Sequence, residues 1–292
     1  MRRATLLALQ LLIGALACRT GATPAGSIRL VDDAGDTVAI TRPARRVVSL
    51  VPATTELLFA IGAGPVLVGR TTWCDYPAAA AAVPDLGNGI GPNIEAVLGQ
   101  HPDLVVLYRS AQNAAAAEQL RALGIPTVTL TVDRLADLDH VTTILGRLTG
   151  REHAADSVIL ATHRGIDSAT ATPAPVRPTV LVLVWDQPPM TVGAGSFLSE
   201  LLERAGGRNL FGDLPSSSAQ VSVEAVASRN PDLILTAADG MPAFATRPEW
   251  QVVRAVREHR FLHVSSSAFN RPSPRAGEAI RILAEKLREA SR

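Results

Sequence analysis

The sequence predicts an α/β fold made of two α/β lobes that are joined by a long connecting helix. The chain has 292 residues, of which 47% are hydrophobic, and this is enough for two α/β units of ordinary size. Strand-like apolar runs alternate with helix-like runs, which indicates mostly parallel sheets. One helix-and-strand pattern also occurs in both halves of the chain, which indicates a duplicated unit.

The first 18 residues have the features of an export signal. Arg2 and Arg3 precede an apolar run that ends before Cys18, and this run is shorter than the roughly 20 apolar residues that span a bilayer. The residues before Cys18 resemble a lipobox, so we expect a lipid-anchored protein in the periplasm or at the cell surface. An unlipidated secreted form is the alternative. Lipidation would leave Cys74 without a disulfide partner in the chain.

The N-terminal lobe is predicted over residues 45–134. Residues 19–44 precede it as a tether rich in small residues and a hairpin that turns at 32–35. The first strand of the lobe leads into a helix that Thr54 caps. This helix is predicted to carry Glu56 in its first turn.

A helix followed by a strand occurs once in each half at the same spacing. Residues 94–107 have their counterpart in residues 223–235, and the interval from Glu95 to Glu224 equals the interval from Pro102 to Pro231. The duplication predicts a C-terminal α/β lobe over residues 178–292.

The segment 135–177 is the predicted connection between the lobes. Its pattern is helical, and prolines occur only near its end. A helical connection is stiffer than a Gly/Ser linker, so the lobes are expected to move only modestly relative to each other. Ligand sites of parallel sheets lie outside the carboxyl ends of the strands, so two facing sheet edges predict a cleft.

The composition and the motifs argue against several functions. The net charge is +1, with 28 basic and 27 acidic residues, which gives no electrostatic footprint for nucleic acid. The sequence contains neither a nucleophile elbow nor a phosphate-binding loop, and it places no Cys and His at metal-ligand spacing. Two alternatives remain: a secreted enzyme that uses Cys74 and Asp75, and a metal-ion receptor of the same architecture.

Polar and aromatic side chains follow several of the predicted strands. Aromatic side chains provide apolar contact at low entropy cost, and an arginine supplies directed donors, so these positions suit a ligand cleft. The residues are Trp73, Asp75, Tyr76, Tyr108, Arg109, Trp185, Asp186, Asn270 and Arg271.

Several ordered motifs match a known family. They are the run 46–52 with Thr55 and Glu56, Cys74-Asp75-Tyr76-Pro77, Asn93-Ile94-Glu95, Pro102-Asp103-Leu104-Val105 and Ser273-Pro274-Arg275. From about residue 45 to the end, the chain resembles the iron-siderophore and cobalamin periplasmic-binding family. The resemblance implies a monomeric receptor, not an enzyme, that needs no cofactor. It holds a small molecule between its lobes and delivers it to the permease dimer and ATPase of an ABC importer.

The resemblance also implies a ligand set. It is closest to cobalamin-binding members, and it places ligand contacts at Trp73, Tyr108 and Arg271. Met190 and Ser267 stand where those members have an aromatic and an acidic contact, so a less aromatic pocket is expected. A cobalamin-type corrinoid is the first expectation, and haem or a ferric siderophore is the alternative.

One acidic residue on each lobe docks to the permease in this family. The resemblance implies that Glu56 and Glu224 do so here. A carboxylate in the first turn of a helix is also stabilised by the helix dipole, by about 0.3–1 kcal/mol, which is the alternative role for both residues.

Overall fold

A β-hairpin precedes the N-terminal lobe. The structure, a computed structural model, describes residues 27–170, 177–237 and 240–290; the predicted export signal and Cys18 lie outside them. Strands β1 (Ile28–Val31) and β2 (Thr37–Ile40) pair in antiparallel fashion. The buried carboxylate of Asp32 accepts hydrogen bonds from the N–H groups of Ala34, Asp36 and Thr129, at 3.0, 2.9 and 2.9 Å. This side chain therefore closes the turn and fastens the hairpin to the lobe.

Four parallel strands form the sheet of the N-terminal lobe, in the order β4-β3-β5-β6. The elements are β3 (Val47–Ser49), α1 (Pro52–Ala60), β4 (Leu67–Arg70), α2 (Ile94–Leu98), β5 (Leu104–Tyr108), α3 (Ala111–Ala122) and β6 (Thr127–Leu130). Along β5, Leu104 and Val106 join one apolar cluster, and Val105 and Leu107 join another. The strand is apolar on both faces because both faces of the sheet are covered.

Helix α1 begins two residues before the predicted cap. Val51 is the N-cap and Pro52 is the first helical residue, a position that suits the fixed φ and the missing N–H of proline. Thr54 lies inside the helix, where its hydroxyl donates to the Val51 carbonyl at 3.0 Å. Glu56 therefore lies beyond the first turn, which corrects the prediction.

Two helices form the connection, α4 (Asp137–Thr149) and α5 (Glu152–Thr170). Gly150 ends α4 in the left-handed region, with φ of 66°, and this allows the chain to turn directly into α5. Helix α4 packs against α1 of the N-terminal lobe. The described part of the predicted connection is thus a pair of packed helices.

The sheet of the C-terminal lobe has the order β10-β8-β7-β11-β12, and β9 pairs with the start of β7. The elements are β7 (Thr179–Asp186), β8 (Pro189–Thr191), α6 (Phe197–Arg204), β9 (Arg208–Asn209), β10 (Ala219–Gln220), α7 (Val223–Arg229), β11 (Leu233–Thr236), α8 (Arg254–Arg257), β12 (Phe261–His263) and α9 (Ala276–Ala290). Strands β7, β11 and β12 are parallel, whereas β8 and β10 add antiparallel pairs. In the described ranges, no helix is both long enough and apolar enough to cross a membrane.

Helices α5 and α9 pack closely at a pair of glycines. A Cβ on Gly277 would lie 2.4 Å from the carbonyl carbon and oxygen of Gly165, whereas a Cβ on Gly165 would come no nearer than 4.0 Å to Gly277. Gly277→Ala is expected to lower the free energy of unfolding by about 1–3 kcal/mol, because backbone atoms cannot rotate away from the new methyl group. Urea unfolding checks this, with Gly165→Ala as the matched control. Equal stability of the two variants would contradict the predicted clash.

Candidate functional site

A cavity of about 900 Å³ lies between the two lobes. The N-terminal lobe supplies residues 50–53, Trp73, Asp75, residues 88–90, Tyr108, Val132 and Asp133 to its lining. The C-terminal lobe supplies Val184, Val192, residues 196–198, Ser217, Ser218 and residues 270–272. In the N-terminal lobe, residues 50–53, Tyr108, Val132 and Asp133 are at or just after the carboxyl ends of parallel strands, which is where parallel sheets place their ligand sites.

The cavity lining includes Trp73, Asp75, Tyr108 and Arg271 from the predicted binding set. Trp73 leaves 63% of its surface exposed, although it lies beside buried residues. An exposed tryptophan at a cleft offers apolar area that a ligand can cover. Asn270, which also follows a predicted strand, lines the cavity as well, so the fold brings five of the predicted residues to one place.

The other predicted residues lie outside the cavity lining; they are Tyr76, Arg109, Trp185, Asp186, Met190 and Ser267. The Tyr76 ring lies under the guanidinium of Arg275, 3.7 Å from ring centroid to Cζ, and the Ser267 hydroxyl accepts a hydrogen bond from the same arginine at 3.2 Å. Trp185 is exposed, and its indole N–H bonds a carbonyl of the following turn at 2.8 Å. Met190 lies in β8. Their contact with ligand stays a prediction.

A buried cluster of charged side chains joins the lobes beside the cavity. Glu56 of α1 accepts hydrogen bonds from Arg275 at 2.7 and 2.8 Å and from Arg271 at 3.4 Å. Both arginines belong to the segment that precedes α9, so these bonds cross from one lobe to the other. Arg271 also donates to the Trp73 carbonyl at 2.9 Å and pairs with Asp75. The hydrogen bonds that Arg275 donates to the Glu56 carboxylate raise the pKa of Arg275.

The surroundings of Glu56 correct its predicted place on the surface. Its side chain is 3% exposed, and both carboxylate oxygens are bound by Arg275. A permease cannot reach the carboxylate in this conformation. The expected exposure of Glu56 is not found because the arginines that cover it are more than 200 residues away in the chain, where the local sequence gives no sign of them.

Two other carboxylates are exposed at equivalent positions of the two lobes. Glu95 is the second residue of α2, and Glu224 is the second residue of α7. The side chain of the N-cap residue accepts a hydrogen bond from the N–H of the third helical residue in both helices. The bond joins Asn93 to Ala96 in α2, at 3.1 Å, and Ser222 to Ala225 in α7, at 3.2 Å. Hydrogen bonds from the backbone N–H of Glu224 and from Ser222 lower the pKa of Glu224. The internal repeat places Glu95 and Glu224 at equivalent positions of the two halves. The spacing in the sequence could therefore have identified Glu95 as the counterpart of Glu224.

Asp133 is a cavity residue that the sequence analysis missed. The Tyr108 hydroxyl donates to its carboxylate at 2.8 Å. Burial and this hydrogen bond raise the pKa of Tyr108 to about 12. Tyr108 is the last residue of β5, and Asp133 comes three residues after the end of β6. The position of Asp133 just beyond a parallel strand could therefore have identified it as a cleft residue.

A glycine-rich loop forms part of the cavity wall through its backbone. A Cβ on Gly89 would lie 2.6 Å from the Leu50 carbonyl oxygen, and Gly89 has φ of 82°. Asn113 holds the loop, because its amide donates to the Gly89 carbonyl at 3.3 Å and accepts from the Gly91 N–H at 3.0 Å. The backbone of the wall is therefore held in place at Gly89, where no side chain fits, and Asn88 and Ile90 on either side of it line the cavity.

The thiol that the enzyme alternative requires does not face the cavity. Cys74 is 1% exposed, and its sulfur lies 3.1 Å from the Thr55 hydroxyl and 3.2 Å from the Thr71 hydroxyl. Asp75, the other residue of that alternative, is paired with Arg271. The hydrogen-bonding neighbours of this buried thiol are neutral hydroxyls, whereas a reactive cysteine is typically exposed and close to a cationic group.

Comparison with known proteins decides the family. Residues 47–268 match the family described as periplasmic binding protein. The chain belongs to this family. A relative from Bacillus subtilis, named as an uncharacterized ABC transporter substrate-binding lipoprotein, YvrC, is 30% identical over 268 residues, which are 88% of this chain and 84% of the relative. The vitamin B12-binding protein of Vibrio parahaemolyticus is 27% identical over 260 residues, which are 86% of this chain and 92% of that protein.

Solved periplasmic binding proteins share the fold. The heme-binding protein RhuT from Roseiflexus, in its apo form, superposes with a TM-score of 0.78 at 22% identity, over 85% of this chain and all of that one (100%). The vitamin B12 binding protein BtuF of Vibrio cholerae superposes with a TM-score of 0.70 at 25% identity, over 86% of this chain and 99% of that one. The predicted family and the two-lobed α/β fold are confirmed.

The periplasmic binding protein family also fixes the general function. The chain is a substrate-binding protein of an ABC transporter. Such proteins bind a small molecule and work with a membrane permease and an ATPase. The family is periplasmic.

Proposed function

We propose that this protein captures a cobalamin-type corrinoid between its lobes and delivers it to a membrane permease without catalysing a reaction. The observation that carries the proposal is the cavity of about 900 Å³ whose walls come from both lobes. A ligand in this cavity contacts both lobes at once, so its binding favours the arrangement in which the lobes face each other.

The chemistry of the wall suits a large ligand with apolar faces and polar edges. Trp73, Val184 and Phe197 provide apolar surface, and Asn88 and Ser218 provide neutral hydrogen-bonding groups. A corrinoid has this character, since amide side chains surround its flat ring. The relatives named vitamin B12-binding protein support this cargo.

Haem is the second candidate cargo, and a ferric siderophore is the third. A structure that shares the fold with a TM-score of 0.78 is named a heme-binding protein, and another is named a ferric hydroxamate transport system. Haem is also flat and apolar on both faces, so the shape of the cleft suits it as well.

We propose that Glu95 and Glu224 are the residues that dock to the permease. Each lies at the start of a helix that leads into a parallel strand, α2 into β5 and α7 into β11. Such a helix runs antiparallel to its strand, so its first turn lies at the carboxyl edge of the sheet, on the side of the cleft. Two exposed carboxylates, one on each lobe, therefore form a matched pair for a permease of two subunits.

Lipid anchoring through Cys18 and a monomeric state stay predictions. The Bacillus subtilis relative is named a lipoprotein, which supports the anchor. Incorporation of labelled palmitate, and its loss in Cys18→Ser, tests the lipidation.

Titration of the chain from residue 19 onward tests the cargo. Cyanocobalamin is expected to bind one to one and more tightly than about 1 μM, or roughly −8 kcal/mol, by calorimetry. Trp73→Ala is expected to weaken binding about tenfold, whereas Leu160→Ala, an exposed apolar residue on α5, changes nothing. Binding of haemin or a ferric siderophore without binding of any corrinoid would overturn the cargo. No binding of any of these ligands would overturn the capture function.

A further inference from the structure

Three charged side chains occur among the described residues of the cavity lining, and their charges do not cancel. They are Asp75, Asp133 and Arg271, two carboxylates against one guanidinium. Any ligand between the lobes is therefore close to an excess of negative charge.

The positive charge of Arg271 is compensated within the protein. The residue is 7% exposed, and its guanidinium donates to Glu56, to the Trp73 carbonyl and to Asp75. A guanidinium recognises a ligand carboxylate by presenting two parallel donors to it. Here each of the three guanidinium nitrogens already donates to a carboxylate or a backbone carbonyl of the protein, and the charge of Arg271 is balanced by those two carboxylates. Only two of its five N–H donors are left for a ligand, and they face no uncompensated positive charge.

The carboxylates are more accessible than the cation. The side chain of Asp75 is 55% exposed, whereas that of Arg271 is 8% exposed. Asp133 accepts the hydrogen bond of Tyr108, a neutral phenol whose pKa is raised further above neutrality by burial and by that bond. Tyr108 thus stays protonated as the donor of this pair, and it adds no positive charge to the cleft.

We propose that the cleft selects against ligands that carry exposed carboxylates, and that Asp75 and Asp133 impose this selection. The inference rests on the proposed capture of a small molecule between the lobes, and it specifies the class of ligand: one whose periphery is uncharged, such as a corrinoid amidated around its ring. The physical basis is repulsion between like charges in a partly desolvated cleft, where screening is weaker than in bulk water.

The test compares two corrinoids that differ by one charge. Cyanocobalamin and its monocarboxylic acid, in which one peripheral amide is hydrolysed, are titrated into the wild type. The acid is expected to bind about tenfold more weakly, with a gap that narrows as the NaCl concentration rises. Asp75→Asn and Asp133→Asn are each expected to reduce the difference in affinity between the two corrinoids. Glu118→Gln changes an exposed carboxylate on α3 and is expected to leave that difference unchanged. Circular dichroism confirms that each variant is folded, and either Asp variant suffices for the test.

Equal binding of the two corrinoids by the wild type, or tighter binding of the acid, would overturn the inference. A gap that persists in both Asp variants would overturn the assignment to these residues. If only porphyrins bind, the corrinoid cargo fails, and the inference is tested separately with haemin and its dimethyl ester. Tighter binding of the ester then supports the inference, and tighter binding of haemin overturns it. A protein that binds none of these probes overturns both proposals.

Discussion

Glu56→Gln is expected to lower the free energy of unfolding by about 3 kcal/mol. The carboxylate is 3% exposed and faces two arginines from the other lobe, Arg271 and Arg275, whose side chains are 8% and 13% exposed. Removing its charge leaves Arg275 with the Ser267 hydroxyl and the Tyr76 ring as its remaining contacts, and with Glu278 as a weaker charge interaction. A buried cation without a counter-ion is costly because its desolvation is no longer offset.

Chemical denaturation of Glu56→Gln beside Glu285→Gln measures this effect. Glu285 forms an i,i+4 pair with Arg281, and both side chains are more than half exposed, so its loss is expected to cost less than about 0.5 kcal/mol. If Glu56→Gln fails to fold, the double variant with Arg275→Met is expected to recover part of the lost stability, since it removes the uncompensated charge. A change below about 1 kcal/mol in the single variant would show that the cluster does not hold the lobes together.

The sequence predicted the lobes well because its information about them is local and repeated. Strand runs such as β5 are apolar on both faces, and this is visible in consecutive residues. The repeated spacing then predicted that the second half contains the same kind of unit. Neither inference depends on knowing which distant residues touch.

The burial of Glu56 could not be predicted from the sequence, because it depends on contacts with residues that are distant in the chain. A Thr-Glu pair near a helix start is compatible with an exposed carboxylate and with a buried one. The choice depends on Arg271 and Arg275, more than 200 residues further along, which only the packed lobes bring near. The resemblance to a family selected Glu56, whereas the internal repeat already paired Glu95 with Glu224.

The cavity residues also fall into two groups: those whose position follows from the local sequence and those whose position depends on how the lobes pack. Tyr108 and Asp133 were accessible to sequence reasoning, because each lies at or beyond the carboxyl end of a parallel strand. Trp185 also lies near a strand end, yet its neighbour in β7, Val184, lines the cavity and Trp185 does not. Which of two neighbouring strand residues faces the cleft depends on how the lobes pack, and that packing is not visible in the residues around Trp185 alone.

The double variant Glu95→Arg with Glu224→Arg is expected to abolish transport while ligand affinity stays within about twofold of the wild type. Both carboxylates are exposed, and both lie outside the cavity lining. Reversing two charges at a docking surface turns attraction into repulsion, which costs several kcal/mol and reduces productive encounters. Ligand-dependent stimulation of ATP hydrolysis by the permease and ATPase in proteoliposomes measures the docking step, and calorimetry measures the affinity.

Two controls make this test specific. Glu118→Arg with Glu258→Arg makes the same change in net charge at exposed positions in α3 and just after α8, and full stimulation is expected from it. Glu56→Gln, if folded, is expected to dock normally, because its carboxylate is engaged inside the protein. Normal stimulation by the Glu95 and Glu224 double variant, with loss of stimulation in Glu56→Gln, would instead mean that the lobes open on the permease and expose Glu56 to it. The buried cluster would then be the docking contact itself, released when the receptor delivers its ligand.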